Sequence, residues 1–294
     1  MLVVVAYLGC AVIWGTTYFA IRVCIAPGGY PTYLAAALRF AIAALILVGV
    51  VVVGRFGPVP RGRRAFTALA VAGLLNFTSY SLIYTAEEQI PGGLAAVIFG
   101  TLPLVTAILG AITGIERPTR GAVVGAFVSL IGLGILGIER LGVSAAQALA
   151  CLMVFGAVVS SGSYNLILKR HTQGLHPFAT TASFLSITAV LMIILALVVE
   201  RQPPPWPLPP SPTLAVLYLA IVGSVVAFAG YFYLLQHVRV MTLSTLVVAQ
   251  PIIALLVDAA LESQRIAPRT YLGAAVTLLG VVLNLASTRR VVTR

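Results

Sequence analysis

The residues that could do chemistry here are aromatic and hydroxyl-bearing, and they fall at helical spacing. Asn76, Tyr80 and Tyr84 recur every four residues, so a helix carries them on one face; Trp14, Thr17 and Tyr18 do the same at i, i+3 and i+4. Further on, Phe228 and Phe232 stand 148 positions after Tyr80 and Tyr84, and Tyr164, flanked by Asn165, stands 146 after Tyr18. Each such side chain offers apolar area with at most one polar tip, which suits holding an amphipathic small molecule, not breaking its bonds. Ordinary packing is the alternative, and for Tyr84, near a span end, interfacial anchoring is another. Bond chemistry would need paired acids, a His beside an acid, or metal ligands. His171, His176 and His237 sit at predicted loops or span ends without metal spacing, and most of the seven acids fall outside apolar runs. The chain is therefore read as no enzyme, with no cofactor and no metal. It also lacks the G-x-x-x-x-G-K-[ST] sequence of a nucleotide-driven pump.

Two apolar runs carry an internal proline, Pro103 and, 148 positions later, Pro251. Proline removes a backbone donor and clashes with the preceding turn, so each run is predicted to kink and free a carbonyl at mid-depth. Such a group must face protein or water. Phe99 flanks the first kink; Gln250, beside the second, either bonds the freed carbonyls or meets a ligand. Arg39 lies well inside an apolar run, where an Arg costs about 2.5 to 3.5 kcal/mol on insertion scales. It must turn inward, either to a substrate carboxylate or as a hydrogen-bond hub. Asp258 is the acid clearly within a span. It is a candidate for proton coupling, against the simpler reading of an interfacial carboxylate paired with Arg265 or Arg269. Glu87 and Glu88 are expected to close the outer end of span three.

The elements that must position these groups are membrane helices. Hydrophobic residues make up 60% of the chain and charged ones 9%, with a mean hydropathy of +1.08, where soluble domains run to about 25% charged. Runs long enough to cross a bilayer fall at about 2–25, 31–54, 65–85, 92–113, 119–138, 145–168, 176–199, 212–235, 240–261 and 269–287. The net charge of +11 does not mark a nucleic-acid binder, because the basic residues lie in short loops, not on one polar face. Arg55, Arg61, Arg63, Arg64, Lys169, Arg170, Arg289 and Arg290 share one predicted side, which by the positive-inside bias is cytoplasmic and holds both termini. Cys10, Cys24 and Cys151 read as small core residues.

The proline, tyrosine and glycine matches at offsets of 146 to 148 divide the chain into repeats at 1–140 and 141–294. Each holds five spans, and five being odd, the second must be inverted. The expected fold is an all-α integral membrane protein, ten transmembrane helices as two inverted five-helix repeats around a central cavity. Gly121, Gly125, Gly132 and Gly134 of span five and Gly273 and Gly280 of span ten permit close helix approach. These two least polar spans are placed at the periphery, where copies would meet if the chain forms a homodimer.

Several motifs now add up to a resemblance: Trp14-Gly15-Thr16-Thr17, Leu38-Arg39-Phe40, Glu88-Gln89-Ile90-Pro91-Gly92-Gly93 leading to Leu102-Pro103-Leu104, Glu116-Arg117-Pro118-Thr119, and Gln250-Pro251 with Glu262 and Gly273. The chain resembles the drug/metabolite transporter superfamily in its ten-helix EamA-type branch over nearly its whole length. That resemblance implies a small-molecule exporter, often of amino acids, in the bilayer of a bacterial inner membrane. A flippase for lipid-linked substrates is the alternative. The sequence departs from the family pattern at Asp258 and after Glu262, at the outer end of span nine.

Overall fold

The computed structural model describes residues 2–56, 62–90, 92–115, 118–137, 144–253, 256–257 and 268–292, without the side chains of 136–137, 241, 268–271, 285 and 287–292. Asp258, Glu262, Pro91, Glu116 and Arg117 lie outside the described residues. Among those described, every regular element is helical. The helices are α1 (Leu2–Ile25), α2 (Thr32–Gly54), α3 (Arg63–Glu87), α4 (Gly92–Phe99), α5 (Leu102–Thr113), α6 (Arg120–Gly137), α7 (Ala145–His171), α8 (Pro177–Leu195), α9 (Pro210–Ala220), α10 (Ala227–His237), α11 (Val240–Ser244), α12 (described at 250–253 and 256–257) and α13 (Pro268–Val292). Seven stretches are long and apolar enough to cross a membrane: α1, α2, α3, α4 with α5, α7, α8 with the turn after it, and α9 with α10. Three apolar helices are shorter, at Arg120–Ile135, Thr242–Ile253 and Leu272–Asn284.

Both proline-bearing runs are interrupted, and in each the break precedes the proline. Between α4 and α5 it falls at Gly100–Thr101, so Pro103 sits in the first turn of α5, where its missing N–H is harmless. Before Pro251, α11 gives way to a 3₁₀ turn at Thr245–Val248 and a bend at Ala249. Two further irregularities were not expected. Ala196–Glu200 and Ile221–Val226 are wound as π-helix, a rare form that is frequent at functional sites. Within the second, Ser224 donates five residues back to the carbonyl of Leu219.

Helices pair in antiparallel fashion. Along α1 and the α9–α10 rod, Cys10 Sγ donates to the Ala227 carbonyl, Trp14 Nε1 to the Gly223 carbonyl, and Thr16 bonds Tyr218; the numbers rise on one helix as they fall on the other. Between α3 and α7, Ser79 Oγ donates to the Ala157 carbonyl and pairs with Ser161. The most extensive pairing is α6 with α13. Here the predicted glycines face one another inside the chain. A Cβ on Gly125 would lie 2.6 Å from the Gly280 carbonyl oxygen, and one on Gly132 would lie 2.4 Å from the Thr277 amide nitrogen. Midway, Ser129 Oγ donates to the Thr277 carbonyl, and at one end Asn284 Nδ2 donates to that of Ala122. Backbones this close gain dispersion contacts that lipid tails cannot match.

Candidate functional site

A chamber lies where α1, α3, α7 and α10 meet the two broken spans. Its walls follow from the periodicity of those helices. Trp14, Thr17, Tyr18 and Ile21 come from α1, Ser79, Tyr80 and Ile83 from α3, and Tyr164 and Asn165 from α7, while Phe99 and Gln250 are set by the interruptions before Pro103 and Pro251. Among the described residues no charged side chain lines it. Six rings are present, Trp14, Tyr18, Tyr80, Phe99, Tyr164 and Tyr231, interleaved with neutral hydroxyl and amide tips. Trp14 and Tyr231 pack at 5.4 Å between centroids, Tyr231 donates its hydroxyl to Asn165 Oδ1, and Tyr18 donates to Gln250 Oε1 at 3.3 Å.

Of the residues singled out from sequence, Trp14, Thr17, Tyr18, Tyr80, Phe99, Tyr164, Asn165 and Gln250 are brought together on this surface. Four stand one layer behind it. Asn76 is buried and turned to α8, where its Nδ2 donates to Thr188 Oγ1 at 3.1 Å. Phe228 is buried among Trp14, Phe184 and Tyr231. Arg39 has no exposed surface: Nε donates to Ser224 Oγ at 3.0 Å and Nη2 to the Gly223 carbonyl at 3.3 Å. Its guanidinium lies 4.9 Å from the centre of the Tyr80 ring and 5.1 Å from that of Phe40, within reach of cation–π attraction. Arg39 thus props the back of a chamber residue. The π-helical turn supports this arrangement, offering one carbonyl, Gly223, to both Trp14 and Arg39. A Cβ on Gly223 would come within 3.1 Å of Thr17.

Tyr84 is fully buried beside that guanidinium, yet its hydroxyl makes no hydrogen bond of ordinary geometry. Glu87 departs from expectation. Whereas Glu88 is exposed, Glu87 is turned into the protein and neither of its oxygens accepts a hydrogen bond. Sequence reasoning also passed over Ser79, Ser161, Tyr231 and Ser244 on the chamber wall. For Tyr231 a signal existed, since it lies three residues after Phe228 on the same helical face. The serines carried none, because a small hydroxyl in an apolar helix reads equally well as packing.

A model of the EamA-like transporter family matches residues 1–138 and 148–286. The chain is 27% identical over 274 residues to the "Uncharacterized inner membrane transporter YedA" of Escherichia coli (strain K12), covering 92% of this chain and 87% of that one. It is 24% identical over 277 residues to the "Probable terminal-alkyne amino-acid exporter" of Streptantibioticus cattleyicolor, covering 92% and 89%. A protein of known crystal structure superimposes with a TM-score of 0.80 at 21% identity, covering 98% of each chain, a likeness of fold alone.

Proposed function

Because the chain belongs to the EamA-like transporter family, we propose that it is a secondary transporter of the bacterial inner membrane that exports a small neutral or zwitterionic solute of the amino-acid class by alternating access. The observation that carries this is the chamber: six rings and neutral polar tips, enclosed between two proline-broken spans, with no acid or base on its described wall. A net charge on the cargo would find no partner there, whereas a zwitterion can use hydroxyl, amide and ring faces at once.

The seven long and three shorter apolar helices are taken as ten spans in two inverted repeats, with both termini cytoplasmic. Support comes from the α6–α13 crossing. Ser129 meets Thr277, its mate 148 positions on. Gly125 faces Gly280 and Gly132 faces Gly273, so each glycine pair is the other with its halves exchanged, as a two-fold axis across antiparallel helices requires. The bond from Cys10 to Ala227 and that from Ser79 to Ala157 stand in the same relation to within one residue. An axis of this kind in the membrane plane gives two related conformations, which alternating access needs.

Reconstituted vesicles loaded with one unlabelled L-amino acid and tested against a labelled panel provide the test. Saturable exchange for an amphipathic, uncharged member is expected, lost with Tyr80→Ala or Trp14→Ala in protein that still purifies as a folded species. No exchange of any amino acid would overturn the cargo assignment.

A further inference from the structure

Two acids in the described helical spans are used in opposite ways. Glu200 is satisfied: Oε1 accepts from the Tyr33 amide at 2.7 Å and Oε2 from that of Leu34 at 2.8 Å, capping the start of α2. Glu87, the last residue of α3, is buried with neither oxygen bonded. It stands directly behind the chamber. A Cβ built on Gly92, in the first turn of α4, would lie 3.6 Å from Glu87 Oε2 and 3.2 Å from Cβ of Tyr18. The titratable and charged groups facing Glu87 are Tyr18, Arg22 and Cys24 from α1, Arg39 from α2, and Tyr84 on its own helix. The residues of α4 contribute none.

We propose that Glu87 is a proton-binding site that couples transport to proton movement: it carries a proton in this conformation and exchanges it with water when the wall formed by α1, α3 and α4 opens. The proposal rests on the carrier reading above. Burial without a hydrogen bond disfavours the ionised carboxylate, and binding a proton relieves this. A second feature supplies the other half of the cycle. Tyr84 Oη, one turn back along α3, and Arg39 Nη1, beside it, are also buried and make no hydrogen bond of ordinary geometry. Ionised Glu87 would offer these two donors a better acceptor than they have here, so the charged form favours a conformation that closes the network, and the protonated form favours this one. A switch requires such a difference in interaction between its two states. Loading forms one O–H bond on the carboxylate and takes one proton from water on one side of the membrane. Discharge returns it on the other, and no electron is transferred.

The test uses the same vesicles with labelled L-amino acids as probe and the membrane potential clamped. For one proton moved per solute, a gradient of one pH unit sustains up to about tenfold accumulation. Wild type should accumulate solute, while Glu87→Gln, which mimics the protonated acid, should keep solute-for-solute exchange and lose gradient-driven accumulation. If Glu87→Gln still accumulates solute, the proposal fails. If wild type exchanges solute but ignores the gradient, it also fails, and the carrier reading stands. If no amino acid exchanges, infrared titration of the protein in lipid decides. A carboxyl band that titrates in wild type and is missing from Glu87→Gln supports the site, and its absence from wild type overturns it. Should Glu87→Gln not fold, Glu87→Asp serves: gradient-driven transport with a displaced pH profile is expected, and a profile identical to wild type counts against the proposal.

Discussion

Two walls of the bundle occupy matching places yet differ in chemistry. On α3 the positions are Tyr80 and Tyr84; on α10, 148 residues later, they are Phe228 and Phe232. The difference is two hydroxyls. On α3 they stand beside a buried guanidinium and a buried acid, Arg39 and Glu87. On α10 the rings pack against further rings: Phe228 lies 5.7 Å from Phe184 and Phe232 5.5 Å from it. The frame around both walls follows one pattern, as at Gly125, Ser129 and Gly132 of α6 against Gly273, Thr277 and Gly280 of α13. A repeated scaffold therefore carries an unequal interior. At these matched positions the hydroxyls belong to α3, where the ionisable Arg39 and Glu87 also lie, while on α10 the mates are apolar and Tyr231 beside them supplies that helix's hydroxyl.

The largest effect is expected from breaking what the two walls share. Gly125→Leu would drive a side chain into the backbone of Asn284 and Gly280, with a Cβ already at 2.6 Å. Overpacking costs about 1 to 3 kcal/mol when side chains can yield, and backbone yields less. Loss of the monodisperse species in detergent chromatography is the expected outcome. Gly134→Leu, on the same helix with open space around it, should leave elution unchanged. Equal behaviour of the two variants would mean that the crossing does not hold the walls.

Next in size is removal of the cation that distinguishes the α3 wall. Arg39→Met leaves the Ser224 hydroxyl without its donor and the Gly223 carbonyl with Trp14 alone, and takes away the support behind Tyr80. Hydrogen bonds from a charged group contribute about 1.5 to 3 kcal/mol, so a clear fall in the thermal midpoint and loss of exchange are expected together. Arg39→Lys should restore little of either, because a single ammonium cannot reproduce the guanidinium fork or its stacking on the ring. Full recovery with Lys would reduce Arg39 to a point charge and weaken the contrast between the walls.

Much of this was legible in the residue order, and what was missed has a common cause. Periodicity correctly grouped Trp14, Thr17 and Tyr18, and Pro103 and Pro251 marked the two interrupted runs, though the breaks fall upstream because proline is tolerated in a first helical turn. Periodicity gives the face of a helix but not the neighbour it meets. Asn76 shares a face with Tyr80, yet it is turned to Thr188 of α8. Arg39 was recognised as an inward residue, but its acceptor depends on a π-helical turn at Ile221–Val226, signalled only by the small pair Gly223-Ser224. Glu87 looked like its exposed neighbour Glu88, because one residue of rotation at a helix end separates water from the interior.

A smaller pair of effects tests the hydroxyls directly, by exchanging the walls' chemistry one atom at a time. Phe232→Tyr would place a hydroxyl in the buried cluster that holds Phe184 and Tyr231, and left unsatisfied there it costs about 1 to 3 kcal/mol. Tyr84→Phe removes a hydroxyl that makes no hydrogen bond of ordinary geometry in this conformation, so the thermal midpoint should change little. Transport separates two meanings of that result. If the Tyr84 hydroxyl only fills space, Tyr84→Phe transports as wild type does. If it bonds ionised Glu87 in the alternate conformation, the same stable variant should transport more slowly under a pH gradient while solute exchange persists. That split would place the hydroxyl's role in a state other than the one described, because here it makes no well-formed hydrogen bond that its loss could break.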